Sequence, residues 1–241
     1  MIVQVREGIG HTMRAPDHSF IYGHEPGLEQ IFFIYSQICF SLFTELAGLL
    51  YNPVFMDHFD EDLLLSLNLD LLQSDVNAML ASEKDLKAVL NEILKWIGIE
   101  SKNDILTSIL LYNKKTSQLF TAAAPSLPDR YNDAISGLKA GPIAGSCGTA
   151  AFFGKQVIVQ DIATDPLWQE YKSVALPEGL RSCWSTPIFG TNKELLGTFA
   201  IYYKEPRKPT PQDLQIIDEL VELTAIAIES RAEDFEKIIG L

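Results

Sequence analysis

Three cysteines, Cys39, Cys147 and Cys183, carry the most reactive side chains of this 241-residue sequence. Their odd number and the lack of CxxC spacing argue against a disulfide framework and against a zinc knuckle. A reducing cytoplasmic compartment fits this usage best. Cys147 and Cys183 can form a redox pair, and the simpler interpretation is that both are small buried hydrophobic residues.

The four histidines, His11, His18, His24 and His58, offer little for a metal site because their spacing is loose. Ordinary loop histidines are therefore favoured over metal ligands. The sequence also contains no P-loop, GxGxxG, GxSxG or HExxH motif. We predict no metal site, no cofactor and no catalytic residue, and hence a protein that is not an enzyme.

The charge of the chain argues against one class of partner. The formal net charge is −13 at pH 7, and no Lys/Arg cluster interrupts the acidic composition. Such a field repels phosphate backbones, so nucleic acid is not expected as a partner. The first residues lack the basic-then-apolar order of a secretory signal, which also favours the cytoplasm.

Residues 31–50 have about the length that crosses a bilayer, with Glu45 as their only charged side chain. Their polar residues nevertheless recur along one helical stripe, opposite the apolar ones. Neither flank carries the Lys/Arg excess that orients a membrane span. We therefore predict an amphipathic packing or dimerising helix, and membrane insertion is the disfavoured alternative.

Helical periodicity continues through the next segment. Residues 61–81 keep apolar side chains at helical spacing and predict a helical linker. Ser82 and Asp85 then resemble an N-cap pair that restarts a helix, which Gly98 ends. We expect an N-terminal, partly helical extension at 1–60, which stays unassigned, the linker at 61–81 and a globular domain at 82–230.

Short apolar and β-branched runs predict strands in that domain. The predicted strands are 105–112, 118–123, 157–160, 183–189 and 195–203. The first two are separated by polar residues and predict a hairpin. Short helices are expected at 131–138 and after the small-residue loop 140–148.

A long helix is predicted from Pro211 to Ile239. Thr210 can cap it, Pro211 suits its first turn, and Asp213 favours its positive end. Apolar residues keep a helical period as far as Phe235. Together the elements predict an α+β fold in which helices lie across a mostly antiparallel sheet.

Five segments carry a family resemblance. They are AAPSLPDRYNDAISGL (123–138), GPIAGSCGTAAF (141–152), VIVQDIATDPLW (157–168), GLRSCWSTPI (179–188) and LLGTFAIYYKEPRKPT (195–210). Residues 120–228 thereby resemble a bacterial GAF domain type found in sensor histidine kinases and other two-component signalling proteins. The resemblance implies a central antiparallel sheet of five or six strands, flanking helices that pair in dimers, and a ligand pocket above one sheet face.

The resemblance also implies that the pocket combines apolar surface with a few aimed polar groups. Trp168 and Trp184 can stack on a planar ligand, and Arg181 can hold an anion. Each has an ordinary structural role as the alternative, since tryptophans fill cores and arginines pair with surface carboxylates. The predicted ligand-binding residues are Ser146, Cys147, Asp161, Trp168, Arg181, Trp184 and Ser185.

Two known uses of such pockets are disfavoured. Covalent bilin attachment usually needs a cysteine that precedes a histidine, whereas Gly148 and Trp184 follow the two cysteines here. Cyclic nucleotide binding is associated with an NKxD-type motif. Residues 113–116 read Asn-Lys-Lys-Thr and lack the aspartate.

A free methionine sulfoxide reductase that uses Cys147 and Cys183 is the alternative function. Cys147 sits in GSCGTA, which resembles the segment that carries one redox cysteine of those enzymes. The resemblance places Cys183, Ala200 and Tyr202 where the reductases have substrate-binding carboxylates. It also places residues 171–179, which hold no cysteine, where the attacking thiol is expected. Sulfoxide reduction needs a lowered thiol pKa, an acid and a resolving thiol, so the correspondence is incomplete.

Signal transfer is expected to run through helices. The resemblance implies that a small-molecule ligand shifts the helix that begins near Asp62 against the C-terminal helix, across a homodimer. Leu220, Ile228 and Phe235 are the predicted dimer contacts, and residues 231–241 end the signalling helix. The output then belongs to a histidine kinase or another signalling partner. A helix that only covers its own sheet is the alternative.

Overall fold

The computed structural model describes residues 61–100 and 105–240, with side chains for 68–98 and 105–240. The predicted extension at 1–60, with the amphipathic helix at 31–50, Cys39 and all four histidines, lies outside the described residues. Among the residues that are described, none belongs to a helix with the length and apolar character needed to cross a membrane.

Helices and strands alternate irregularly along the described chain. The helices are α1 (Glu61–Ala81), α2 (Leu86–Glu100), α3 (Asp129–Ile135), α4 (Gly145–Phe153), α5 (Lys172–Ala175), α6 (Pro211–Glu229) and α7 (Ala232–Ile239). The strands are β1 (Leu106–Asn113), β2 (Gln118–Ala123), β3 (Leu138–Lys139), β4 (Val157–Val159), β5 (Ser182–Phe189) and β6 (Leu195–Tyr203). Short 3₁₀ turns at Pro166–Trp168 and Leu176–Glu178 precede and follow α5.

The strands form one antiparallel sheet in the order β3-β2-β1-β6-β5-β4. Two hairpins, β1–β2 and β5–β6, meet at the centre where β1 pairs with β6. This confirms the predicted α+β class with a GAF-like antiparallel sheet and flanking helices. β2 and β6 have the predicted bounds, and β1, β4 and β5 differ from the prediction by one residue at one or both ends. β3 was not predicted, because residue 138 was placed at the end of a short helix that in the structure ends at Ile135.

Side-chain alternation gives the sheet two faces with separate cores. On the first, which we call the helical face, α2 and α6 cover side chains such as Trp184, Phe199 and Ile201. On the second, the cavity face, α3 and α4 cover side chains such as Cys183 and Tyr202. Neighbours along β5 therefore belong to different cores.

The start of the C-terminal helix follows the prediction. The Thr210 hydroxyl accepts a hydrogen bond from the Asp213 backbone N–H at 3.1 Å, and the Asp213 carboxylate accepts from the Thr210 N–H at 2.7 Å. With Pro211 in the first turn, this completes a capping box. Local chemistry alone fixes where α6 begins.

The end of that helix was predicted wrongly, because the structure breaks it after Glu229. Arg231 leaves the helical conformation, with φ −131° and ψ 50°, and its guanidinium donates to the carbonyl oxygens of Leu80 and Lys84 at the α1–α2 turn. Glu229 accepts from the backbone N–H and the hydroxyl of Thr191. These tertiary hydrogen bonds override an apolar period that runs straight through the break.

The predicted boundaries of α2 also need correction. Asp85 is the local cap of the helix, since its carboxylate accepts from the Ala88 backbone N–H at 2.7 Å, and Asp234 of α7 accepts from the Leu86 N–H at 3.1 Å. Ser82 instead donates its hydroxyl to the Met79 carbonyl at 3.0 Å, at the end of α1. The helix continues past Gly98 to Glu100.

Candidate functional site

Two glycines set the position of α4 on the cavity face. Gly145 begins the helix with φ +61°, a left-handed conformation that glycine adopts without steric cost. Gly148 lies so close to its neighbours that a Cβ there would come within 2.6 Å of the Ala144 Cβ and 3.2 Å of the Lys139 carbonyl oxygen. The GSCG sequence therefore lets α4 pack tightly, with Ser146 and Cys147 buried in its first turn.

A small cavity lies beneath the first turn of α4. Its lining residues are Leu110, Tyr131, Ile135, Leu138, Ala144, Gly145, Ser146, Cys147, Trp168, Tyr171 and Tyr202. Its volume is about 20 Å³, which has room for roughly one water molecule. Drug-sized ligands occupy sites of about 300–1,000 Å³. Anything much larger than water therefore requires a cavity wall to move.

Trp168 forms one wall and is held by a relay of hydrogen bonds. Its indole N–H donates to the Ser146 hydroxyl at 3.1 Å, and that hydroxyl donates to the Cys183 carbonyl at 3.1 Å. Asp165 caps the 3₁₀ turn that carries Trp168, accepting from the Leu167 N–H at 2.9 Å. This wall thus connects the 3₁₀ turn, α4 and β5.

Polar side chains converge around the Cys147 thiol. Its Sγ lies 3.8 Å from the Tyr202 hydroxyl, which is 3.3 Å from the Ser108 Oγ. Ser185 and Thr198 lie on the same sheet face, and their buried hydroxyls have no hydrogen-bond partner. Unsatisfied buried hydroxyls cost free energy. The stability of the fold alone does not explain why they are here.

This environment separates the two thiols in acidity. Interaction with the Cys183 thiol, helped by the hydroxyls of Ser185, Tyr202 and Thr198, lowers the pKa of Cys147 to about 7 against the effect of burial. Burial, followed by the interaction with Cys147, raises the pKa of Cys183 well above its usual value. Cys147 is thus the nucleophilic member of the pair and Cys183 its proton-bearing neighbour.

Asp161 and Arg181, two of the predicted ligand-binding residues, pair with each other. The Arg181 guanidinium approaches the Asp161 carboxylate at 3.1 Å. Burial raises the pKa of Asp161, but the Ala163 N–H and Arg181 outweigh it, so the pKa falls below its usual value. Both side chains are partly exposed, and neither lines the cavity. Their geometry ties the loop after β4 to the start of β5.

Trp184 lies on the helical face, away from the cavity. Its ring packs against Tyr203 with centroids 4.9 Å apart, and its N–H donates to the Arg207 carbonyl at 3.2 Å. Strand alternation is the reason, since Cys183 and Ser185 on either side of Trp184 face the other way. Of the predicted set, Ser146, Cys147 and Trp168 line the cavity, and Ser185 lies on the same face near Cys147.

The sequence prediction missed several residues of this site. Tyr131, Tyr171 and Tyr202 line the cavity, and Thr198 adds a hydroxyl beside Cys147. Tyr131 meets Tyr202 edge-on, with ring centroids 5.9 Å apart. A signal was present in β6, where polar Thr198 and Tyr202 alternate with apolar residues of the other face.

The predicted dimer contacts lie mostly inside the chain's own core. Leu220 and Ile228 are buried on the helical face, and Phe235 of α7 packs partly buried against the same core. Among the described residues, no group of three or more His, Cys, Asp or Glu side chains is arranged to hold a metal ion.

Known proteins share this fold and sequence. The family model of the GAF domain matches residues 83–229. A curated relative, the methyl sulfide methyltransferase-associated sensor of Methanosarcina acetivorans, is 38% identical over 169 residues, which are 70% of this chain and 16% of the relative. The chain thus corresponds to a small part of that relative.

Two solved structures show the fold at lower identity. Free methionine-R-sulfoxide reductase from Neisseria meningitidis, in complex with its substrate, has a TM-score of 0.57 at 20% identity, over 73% of this chain and 94% of that chain. The GAF domain of a phosphoenolpyruvate-protein phosphotransferase from Coxiella burnetii has a TM-score of 0.56 at 16% identity, over 69% of this chain and 96% of that chain. With a family match over more than half of its length, the chain belongs to the GAF domain family.

Proposed function

We propose that this GAF domain is a non-enzymatic sensory module that binds a small molecule at the cavity face, beside Cys147, and relays the event to a signalling partner. The observation that carries the proposal is the cavity itself, whose almost wholly apolar surface lies next to the thiol of Cys147 and the hydroxyls of Ser146 and Tyr202. Such a combination is typical of small-molecule sites. The sensor name of the curated relative supports the same role.

Ligand entry requires an opening at Trp168. The side chain is held by its hydrogen bond to Ser146, so displacing it breaks one bond and frees the Ser146 hydroxyl for the ligand. Displacement costs this hydrogen bond, about 0.5–1.5 kcal/mol net, and the apolar contacts of a buried side chain, about 1.5–3 kcal/mol, so the ligand has to supply several kcal/mol. The open and closed arrangements then bind ligand with different affinity, which is the requirement for a switch.

The relay runs through β5 to the helices on the opposite face. Cys183 faces the cavity while adjacent Trp184 packs beneath the helices, so a displacement of β5 changes both cores. The break after α6 connects these helices to the α1–α2 turn through Arg231. We propose that ligand binding changes the position of α6 and α7 relative to α1, and that a homodimer transmits this change to a histidine kinase or another output partner.

A reductase that uses Cys147 and Cys183 is the second candidate. The lowered pKa of Cys147 favours it, because thiolates are the nucleophiles in such chemistry. The cavity lining opposes it, because none of the residues that form it is an aspartate or glutamate. An amino acid substrate would find no carboxylate there for its ammonium group. The binding role needs no such group.

The test is ligand binding by the reduced full chain, measured by native mass spectrometry and by thermal shift against a small-molecule library. We expect a retained or screened compound that raises Tm. Trp168→Leu should increase that shift, because the ligand no longer has to break the Trp168–Ser146 hydrogen bond, whereas the same substitution at Trp96 on α2 should leave it unchanged. The absence of any binder, or a shift that Trp168→Leu does not increase, would contradict the proposal. Consumption of free methionine sulfoxide with a thiol donor would favour the reductase instead.

A further inference from the structure

The two described cysteines lie across a helix–strand contact on the cavity face. Cys147 is on α4 and Cys183 on β5, and the Ser146 hydroxyl is 3.1 Å from the carbonyl oxygen of Cys183. Both thiols are buried and free. Cys183 is paired across the sheet with Tyr202, whose hydroxyl lies 3.8 Å from the Cys147 Sγ. The pair therefore holds two reducing equivalents at one point of the core.

The groups around the pair stabilise a negative sulfur. The unpartnered hydroxyls of Ser185 and Thr198 are fully buried and lie beside Cys147, where they can donate to a thiolate. Cys147 is also in the first turn of the nine-residue helix α4, where backbone N–H groups favour negative charge. An ionised Cys147 would give these two hydroxyls the hydrogen-bond acceptor that they lack in the reduced protein.

We propose that Cys147 and Cys183 close a disulfide when the protein meets hydrogen peroxide, and that this bond is an input of the module. The role of the disulfide as an input depends on the proposed sensory function. The formation of the disulfide does not depend on that function. The bond would fix α4 to β5 directly beside Ser146. Because the Ser146 hydroxyl accepts the hydrogen bond of the Trp168 indole, disulfide formation would also change the position of Trp168 in the cavity wall.

The chemistry proceeds in two balanced steps. The Cys147 thiolate attacks one oxygen of the peroxide, so that an S–O bond forms, the O–O bond breaks, and the departing hydroxide takes up a proton as water. The Cys183 sulfur then attacks the Cys147 sulfur, and the sulfenic hydroxyl leaves with the Cys183 proton as a second water. Two thiols are oxidised by two electrons to one disulfide, and one peroxide is reduced to two waters.

The size and lining of the cavity suit this oxidant. Hydrogen peroxide is neutral and only slightly larger than water, and the cavity has room for about one water molecule. The lining contains no lysine, arginine, histidine, aspartate or glutamate, and its one group that ionises near neutral pH is the Cys147 thiol. An anionic oxidant would lose its hydration there without a compensating partner.

The experiment uses the full chain with Cys39→Ser, which removes the third cysteine of the sequence. After treatment with one equivalent of hydrogen peroxide, we expect an intact mass lower by two hydrogen atoms and a cross-linked peptide that joins residues 147 and 183. Added dithiothreitol should reverse both changes. Trp168 fluorescence should change in parallel, with Trp168→Phe as the control that identifies its source.

Two further variants, each made in the Cys39→Ser protein, identify which cysteine reacts in each step. Cys183→Ser should stop at a sulfenic acid that dimedone traps, and Cys147→Ser should lose the reaction at equimolar peroxide. A chain in which both thiols remain open to alkylation after denaturation, or in which Cys147 only gains oxygen, would overturn the disulfide. Ligand binding to the reduced protein is measured separately, so failure of the disulfide and failure of the sensory function are distinguishable.

Discussion

The two faces of the sheet are formed by the same strands and differ in the chemistry of their side chains. The helical face is filled by aliphatic and aromatic side chains, and the indole N–H of Trp184 finds a backbone acceptor. The cavity face has a thiol pair, two unpartnered hydroxyls and a small void. Since unsatisfied buried groups reduce stability, the place of these two hydroxyls on the cavity face separates the part that maintains the fold from the part we propose as the sensor.

The largest expected effect comes from emptying the helical face. Trp184→Ala should destabilise the domain by about 3–5 kcal/mol, because it removes a fully buried indole and leaves a cavity. Chemical denaturation measures this directly. Trp168→Ala on the cavity face should cost less, since that wall already borders a void. A larger loss for Trp168→Ala would reverse the comparison between the faces.

The sequence predicted features set by neighbouring residues better than features set by contacts between distant segments, for a physical reason. Thr210, Pro211 and Asp213 act on the backbone next to them, so the start of α6 is readable locally. The alternation of side chains along β5 can also be predicted from the sequence. It does not show which alternate set of residues faces the ligand, and Trp184 was therefore grouped with Trp168. The groups around Cys147 come from β5 and β6, and only the register of the sheet brings them together.

The next effect is expected at Cys147, as a change in reactivity. Ser185→Ala removes a donor to the thiolate and should raise the pKa of Cys147 above about 7, slowing its alkylation below neutral pH several-fold. Cys183, Tyr131 and Tyr202 are the titratable groups nearest to the thiol, and burial keeps them protonated through this range.

The matched control is Ser182→Ala on the same strand. Its hydroxyl faces away from the cavity and donates to the Glu205 carbonyl at 3.0 Å. The rate of iodoacetamide modification as a function of pH should keep its midpoint in this variant. Equal shifts in both variants would mean that the hydroxyls do not act on Cys147 specifically.

A smaller effect on the helical side is expected from Asp234 of α7. The Leu86 backbone N–H, at 3.1 Å, and then Lys237 lower the pKa of Asp234. Its stabilisation is therefore present above the unfolded pKa of about 4 and is lost as pH falls through the lower folded pKa. Asp234→Asn should lower the free energy of unfolding by about 0.5–1 kcal/mol at pH 7 and flatten its decline in acid. If the free energy of unfolding fell as steeply in acid for Asp234→Asn as for the unaltered protein, Asp234 would not be a source of the pH dependence.

The smallest effect is expected at an exposed aromatic pair at the end of α4. Phe152 is 54% exposed and meets Phe153 edge-on at 5.0 Å. Phe152→Ser should change the free energy of unfolding by no more than about 0.5 kcal/mol and leave Cys147 alkylation unaffected. A larger loss would show that the cavity face extends to this surface.

The central claim is that small molecules act on the cavity face and not on the helical face. The three tryptophan indole N–H groups are expected to give separate NMR signals, and two of them, Trp168 and Trp184, lie on opposite faces. Titration of the reduced protein with a binder from the screen should move the Trp168 indole first, with a smaller response at Trp184. A Trp184 signal that moves while Trp168 stays fixed would contradict the account.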